Sequence, residues 1–306
     1  MLTGLSLPVV DVSGHRSDDR GSTTAAAEAI GAALTDLGFV SIVGHGIPWD
    51  QVEEIYGWAR RYHALPIEVK TAHGMGPANM GYIPIGGAQQ GEHPALNAAF
   101  FMGRPGSARN RLPDPEVLPG FEAALTAYYR AMDELGHHLL PLYALAVGMP
   151  AEYFDQFFDP ALATLRLTHY PPVLAVDGQW GIDPHSDAGF MTMLPTNPVA
   201  GLEIQEPSGT WRPVEQEPES FVVNAGDMLR RWTNDRFLST RHRARSDVPF
   251  DRYAIPFFFD PRVDSVIDPV PSCVDADHPK RHEPLVYRDY LQAFMRRGYA
   301  ATRDNS

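Results

Sequence analysis

His185 and Asp187 stand two residues apart in the stretch DPHSDAGFMTML, and side chains two apart on a strand point to one face. An imidazole and a carboxylate so placed converge on one point. A further histidine, His242, follows about 55 residues later in STRHRAR, and Arg252 opens RYAIPFFF beyond it. Two histidines and one carboxylate, with the remaining coordination positions open, form the donor set that suits oxygen-activating non-haem iron(II). The planar guanidinium of Arg252 can make two parallel hydrogen bonds to a carboxylate, which suits an acidic cosubstrate. In a chain with 12 histidines a lone His-x-Asp arises by chance, so the weight rests on the joint spacing of these four residues. Asp183 shares the strand parity of His185, with Pro184 between them.

At these positions the chain resembles the isopenicillin N synthase-like iron(II)/2-oxoglutarate-dependent dioxygenases. Their pattern is His-x-Asp, a second His in a Ser-Thr-x-His-Arg segment, and an Arg shortly after; His185, Asp187, His242 and Arg252 fit each step. The likeness extends through LPVVDVS near the start, GFVSIVGHGIP at 38–48, GYIPIG at 81–86, LRLTHYPP at 165–172 and VVNAGD at 222–227, so it covers nearly the whole chain. It implies Fe(II) held by His185, Asp187 and His242, with Asp187 rather than Asp183 as the carboxylate ligand. It further implies 2-oxoglutarate as cosubstrate, with Arg252 at its far carboxylate and Tyr170 reaching the cosubstrate, and O2 as oxidant. No catalytic side chain beyond the metal ligands is implied. The primary substrate would be a small molecule, a secondary metabolite or amino-acid derivative, undergoing hydroxylation, desaturation or cyclisation.

Two positions depart from the family pattern. Ala254 stands where a serine commonly helps hold the cosubstrate, a loss of about 1 kcal/mol on typical hydrogen-bond values. Thr168 stands where an asparagine is common. Ala254 keeps open an iron-dependent oxidase of the same fold that does not use 2-oxoglutarate. A non-catalytic small-molecule-binding barrel is a further alternative, which the complete triad argues against. A zinc hydrolase could use the same three ligands, but would leave Arg252 and Tyr170 without a role.

Arg166, Thr168 and Tyr170 share one strand face, which the resemblance places inside the barrel, while Leu167 and His169 point away; His169 is therefore expected to be structural. An inward Arg166 needs a partner, either an acidic group of a ligand or a salt bridge within the protein. Phe258, Phe100 and Phe101 fall where relatives contact substrate, with core packing as the alternative for each. His45, the pair His137 and His138, and the pair His278 and His282 are expected to be structural or solvated.

The elements that must position these residues change character part-way along the chain. Before Ala163 the pattern is mainly helical: a helix capped near Ser22–Thr24 and stopped by Gly38, one opened by a capping box at Asp50 and Glu53, and a long one over Phe121–Val147 that Pro141 should kink or break. Strands are expected at 7–12, 39–43 and 98–102, with a loop over 75–90. From Leu165 the period becomes two, in runs 165–170, 190–194, 202–205, 211–214, 221–224 and 253–259, with Glu206–Gly209 as a hairpin turn. Such spacing suggests a sandwich or jelly roll. The resemblance makes it an α+β fold: a double-stranded β-helix (jelly roll, cupin-like) core with flanking N-terminal and C-terminal helices. One oxygenase domain over 1–306 is expected: a mainly helical region 1–160, the jelly-roll core carrying the iron site at 161–262, and a C-terminal loop and helix at 263–306, the helix over 287–297.

With 44% hydrophobic and 21% charged residues the composition is that of a globular protein. The formal charge of −13 excludes attraction to nucleic acid or anionic membrane as a main function, which leaves a small molecule as partner. The single cysteine, Cys273, permits no intramolecular disulfide. No membrane span or secretory leader is expected, so the location expected is cytoplasmic. Oligomeric state is not readable from the sequence.

Overall fold

The switch of hydrophobic period at Ala163 marks where the chain passes from helices into sheets. The computed structural model describes residues 4–17, 19–87, 93–172, 178–197, 199–245 and 249–298. The first half runs β1 (Leu5–Ser6), β2 (Val9–Asp11), α1 (Ser13–Arg16), α2 (Arg20–Asp36), β3 (Phe39–Val43), α3 (Trp49–His63), α4 (Ile67–Ala72), β4 (Gly81–Ile83), β5 (Ala98–Met102), α5 (Phe121–Ala146) and α6 (Asp155–Phe158). The second half holds β6 (Leu162–Tyr170), β7 (Ile182–His185), β8 (Met191–Pro195), β9 (Leu202–Gln205), β10 (Trp211–Glu215), β11 (Phe221–Ala225) and α7 (Asp227–Trp232). After these come β12 (His242–Ala244), β13 (Arg252–Ala254), β14 (Phe257–Asp260), β15 (Val266–Ile267), β16 (Leu285–Val286) and α8 (Tyr287–Gly298).

Two sheets form the body. The smaller has the order β1-β10-β9-β12-β7; the larger has β2-β3-β11-β8-β14-β6-β5-β4, with β13 also paired to β6. Together they make the jelly roll of a double-stranded β-helix, and the N-terminal strands extend both sheets. Helices α3 and α5 pack on the outer side of the larger sheet. There Phe100 meets Tyr62 and Phe121 at ring distances of 4.7 and 5.6 Å, and Phe259 stacks on Phe158 at 5.1 Å.

Several local expectations are corrected. Helix α2 starts at Arg20, because the Asp19 carboxylate accepts from the Gly21 amide and caps it before Ser22 is reached. The capping box at Asp50 does not form: Pro48 holds the cap position and Asp50 lies inside the first turn. Pro141 does not break α5, since Leu139, Leu140, Leu142 and Tyr143 on either side are at most 1% exposed and packing carries the helix through. The expected loop 75–90 contains β4, which pairs with β5; its residues 88–90 lie outside those described. The expected strand 253–259 is interrupted at Ile255–Pro256, where proline has no amide to donate. Even so, the register against β6 is unchanged across the gap: Arg252 faces Tyr170, Ala254 faces Thr168 and Phe258 faces Thr164. The Pro256 carbonyl accepts from the Arg166 amide at 3.0 Å. No helix among the described residues is long and apolar enough to cross a membrane.

Neighbouring residues of β14 therefore serve opposite faces. Phe259→Ala is expected to cost about 3–5 kcal/mol of unfolding free energy in urea, from lost burial and a cavity beneath α5, with a clearly smaller loss for Phe258→Ala. Equal losses would contradict the assignment of faces.

Candidate metal centre and adjoining cavity

Strand β7 ends at His185, so Asp187 is not placed by strand alternation as expected; a loop places it. The Asp227 amide donates to the Asp187 carbonyl at 2.7 Å, Met228 N to Ala188 O at 3.2 Å, and Gly226 N to Phe190 O at 3.0 Å. From the other side Asp260 Oδ1 accepts from Phe190 N at 2.6 Å. Asp227 also accepts from Ser186 Oγ at 3.2 Å and from the Tyr290 hydroxyl of α8 at 3.4 Å. Strands β7 and β12 bring His185 and His242 directly opposite one another, ring centroids 4.3 Å apart. Asp187 Oδ1 lies 3.7 Å from Nε2 of each ring. Among the described residues, this is the one group of three such side chains whose donor atoms lie within 4.8 Å of one another.

Hydrogen bonds fix which atoms face the centre. His185 Nδ1 meets the Asp183 carbonyl at 2.7 Å and His242 Nδ1 meets the Thr240 carbonyl at 3.1 Å, so the Nδ1 protons are used there and both Nε2 lone pairs point inward. Asp187 Oδ2 accepts from Thr192 Oγ1 at 2.6 Å and Asn224 Nδ2 at 2.8 Å, which leaves Oδ1 for a metal. Burial and the neighbouring His242 push His185 down to about 4, so its ring is neutral at pH 7 as a metal ligand requires. Burial opposes ionisation of Asp187, but His242, His185 and the bonds from Thr192 and Asn224 outweigh it and hold the carboxyl below its usual range. Two imidazoles and one carboxylate on one side of an open space fit iron(II).

The cavity lies between the sheets, with Ile182, Leu202 and Ala244 on one wall and Leu194, Val222, Tyr170, Arg166, Arg252 and Phe258 on the other. Arg252 is 2% exposed, donates from Nε to the Val199 carbonyl at 3.2 Å and lies 4.8 Å from the Tyr170 ring. A Cβ on Gly201 would meet its Nε at 2.7 Å, so only glycine leaves room for the guanidinium. Its Nη1 is buried without a partner, and no carboxylate of the described residues pairs with it. A buried cation left open beside a metal centre fits the far carboxylate of a chelating diacid.

The other expected residues divide. Phe258 is on the cavity wall. Phe100 is corrected: it is fully buried in the core on the opposite face, since adjacent strand residues cannot both line one cavity. Phe101 faces inward but lies beneath Arg166, whose guanidinium sits 5.1 Å from its ring. Arg166 forms no salt bridge among the described residues; its Nη2 donates to Asn97 Oδ1 at 3.0 Å and its Nε is buried without a partner. His169 pairs with Asp251 at 2.5 Å and stacks on Tyr253, a structural role as expected. Sequence reasoning missed Thr192, Asn224, Asn97, Gly201 and Asp260. Asn224 carried a signal, as an amide inside the apolar run FVVNA; Gly201 and Asp260 carried none, because their partners are distant in sequence.

Residues 161–261 match the 2OG-Fe(II) oxygenase superfamily, and residues 7–120 match the N-terminal region described as non-haem dioxygenase in morphine synthesis. A 2-oxoglutarate-dependent dioxygenase of Monascus ruber is 33% identical, the match covering 86% of this chain and 87% of that protein. The chain belongs to the 2OG-Fe(II) oxygenase superfamily. A 2-oxoglutarate-Fe(II) type oxidoreductase of Emericella nidulans is 29% identical over 95% of this chain and 90% of its own length. Among solved structures, a full-length Neurospora crassa protein in complex with alpha-KG and thymine superposes with a TM-score of 0.89 at 28% identity, covering 97% of each chain. As a 2OG-Fe(II) oxygenase the protein is an oxidoreductase that uses Fe(II) and 2-oxoglutarate, which sets aside the oxidase, the zinc hydrolase and the non-catalytic barrel.

Asp260 braces the loop of this oxygenase's centre, and burial pushes its carboxyl up to about 7. A carboxyl raised in the folded state contributes stability that is fully present below the ordinary value of 3.8 and is lost as pH rises through about 7. Thermal unfolding from pH 5 to pH 8 is expected to show this loss, and Asp260→Asn, which keeps the acceptor for Phe190 N, to remove it. An unaltered pH slope in the variant would contradict the assignment.

Proposed function

We propose that His185, Asp187 and His242 hold the iron, that Arg252 and Tyr170 hold the far carboxylate of 2-oxoglutarate, and that Arg166 and Phe258 receive the primary substrate. The observation that carries this is the buried Arg252 guanidinium with an unpartnered Nη1 on the cavity face. When bound, iron with 2-oxoglutarate supplies a two-electron oxidation of the substrate at the expense of O2, giving succinate and carbon dioxide. The protein's part is to hold three donors on one side, keep the His185 ring neutral, and orient the cosubstrate along the wall of β6 and β13. Leu194, Leu202, Val222 and Phe258 favour a compact, partly apolar substrate, and the open Nε of Arg166 favours one bearing an acidic or carbonyl acceptor. This agrees with a secondary metabolite or amino-acid derivative undergoing hydroxylation, desaturation or cyclisation; the Neurospora crassa complex likewise holds a small molecule, thymine. We take residues 1–306 as one oxygenase unit, with regions 1–160, 161–262 and 263–306, supported by one hydrophobic cluster that draws residues from Val10 to Tyr287. A cytoplasmic setting is inferred from the single, buried Cys273, which has no partner for a disulfide.

Anaerobic titration of the Fe(II)-loaded protein with 2-oxoglutarate tests the ligand assignments. A metal-to-ligand charge-transfer band should form in the wild type, fail in His185→Ala, and need at least about tenfold more cosubstrate in Arg252→Ala, the loss expected for a charge-assisted pair. A wild-type response in Arg252→Ala would sink its role. For the substrate wall, small organic acids that stimulate succinate formation in the wild type should no longer do so in Arg166→Met, with the charge-transfer titration unchanged. Undiminished stimulation would remove Arg166 from the substrate site.

A further inference from the structure

Thr168 lies on β6 directly opposite Ala254 of β13, with Ala99 of β5 on its other side. It is 0% exposed, and its Oγ1 has no hydrogen-bond partner. The register that pairs Thr168 with Ala254 pairs Tyr170 with Arg252, so all four side chains stand on the cavity side of the larger sheet. Three buried polar atoms on this face are unmet: Thr168 Oγ1, Arg166 Nε one rung along β6, and Arg252 Nη1 one rung the other way, the site assigned to the cosubstrate's far carboxylate. Leaving a buried hydroxyl unpaired costs about 1–3 kcal/mol, and the cross-strand neighbours of Thr168, both alanines, cannot relieve it. Thr168 Oγ1 and Arg252 Nη1 can both donate, so one acceptor-only anion with two oxygens, a carboxylate, would satisfy the pair. Directly opposed residues hold their Cβ atoms about 4.5–5.5 Å apart, so a hydroxyl at 168 reaches the space over the methyl of Ala254.

We propose that Thr168 is a second anchor for the far carboxylate of 2-oxoglutarate, donating from β6 the hydrogen bond that a serine at 254 would donate from β13. The proposal rests on Arg252 as the site of that carboxylate. It gives the two departures at 168 and 254 one cause: the hydroxyl has moved across the strand pair. The unmet hydroxyl of the free protein becomes a bond that only the bound cosubstrate supplies.

The test is the same anaerobic charge-transfer titration, run with 2-oxoglutarate and with 2-oxopentanoate, which chelates identically but lacks the far carboxylate. Thr168→Val should weaken 2-oxoglutarate about tenfold, as for a hydrogen bond to a charged group, and leave 2-oxopentanoate unchanged. Adding Ala254→Ser to that variant should return the affinity to within about threefold of wild type, a bond restored from the partner strand. The melting temperature of ligand-free Thr168→Val should not fall, since valine removes an unpaired polar atom; a purely structural hydroxyl would give a fall. If Thr168→Val folds poorly, Thr168→Ala compared with Thr168→Ser carries the same contrast. Unchanged 2-oxoglutarate affinity in the hydroxyl-free variant, or parallel loss of both ligands, overturns the proposal. Arg252→Ala in the same pair of titrations separates the two assignments. If it does not shift the preference between the ligands, the Arg252 site itself fails; if it does and Thr168→Val does not, only Thr168 fails.

Discussion

The pairing of β6 with β13 and β14 keeps one register across the interruption at Ile255–Pro256, and the cavity's chemistry follows from that pairing. On the outer face Leu165, Leu167, Phe257 and Phe259 are all 0% exposed beneath the helices. A slip of β6 by one residue would turn Leu165 and Leu167 toward the cavity and drive Arg166 into the core, and a slip of β13 and β14 would do the same with Phe257, Phe259 and Arg252, each at a cost of buried hydrophobic side chains and an unpaired buried charge. Hydrophobic burial on one side of the sheet thus decides where positive charge stands on the other. Pro256 is tolerated in the middle of this pairing because its carbonyl still serves the Arg166 amide.

The opposite wall carries the metal donors, and the two walls have complementary charge. Asp187 stays ionised because the two histidines and two hydrogen bonds offset its burial, and burial with the neighbouring His242 disfavours protonation of His185. Facing them are two guanidiniums without carboxylate partners among the described residues. Once a divalent cation occupies the donors, the cavity holds a surplus of positive charge. A dianionic cosubstrate offsets most of it, so the overall charge of −13 does not by itself repel such a ligand: the local field, not the net charge, meets it.

Much of this was legible in the sequence because it is written in short-range patterns. The switch to period two located β6, β8, β9, β10, β11, β13 and β14 to within a few residues but not β7 or β12, and the triad spacing picked out three side chains that the structure clusters. Parity along β6 separated Arg166, Thr168 and Tyr170 from Leu167 and His169 before any coordinates. What was not legible depends on partners far apart in the chain. Asp187 is set by the amides of α7 and by Asp260 through a loop, not by strand alternation. Gly201 is required by a guanidinium about 50 residues away. Phe100 and Phe101 looked equivalent in sequence, and only the pairing of β5 with β6 decided which of them faces the core. Pro141 does not break α5, because tertiary packing overrides the local propensity.

The braces on the loop of Asp187 arrive late along the chain: Asp227 from α7, Asp260 at the end of β14, and Tyr290 from α8. During translation His185 and Asp187 leave the ribosome well before His242, and Tyr290, the tyrosine that steadies Asp227, leaves later still. A nascent chain therefore offers a metal ion an incomplete and loosely held set of ligands. A fully braced set of donors exists only once α8 has been made and has docked.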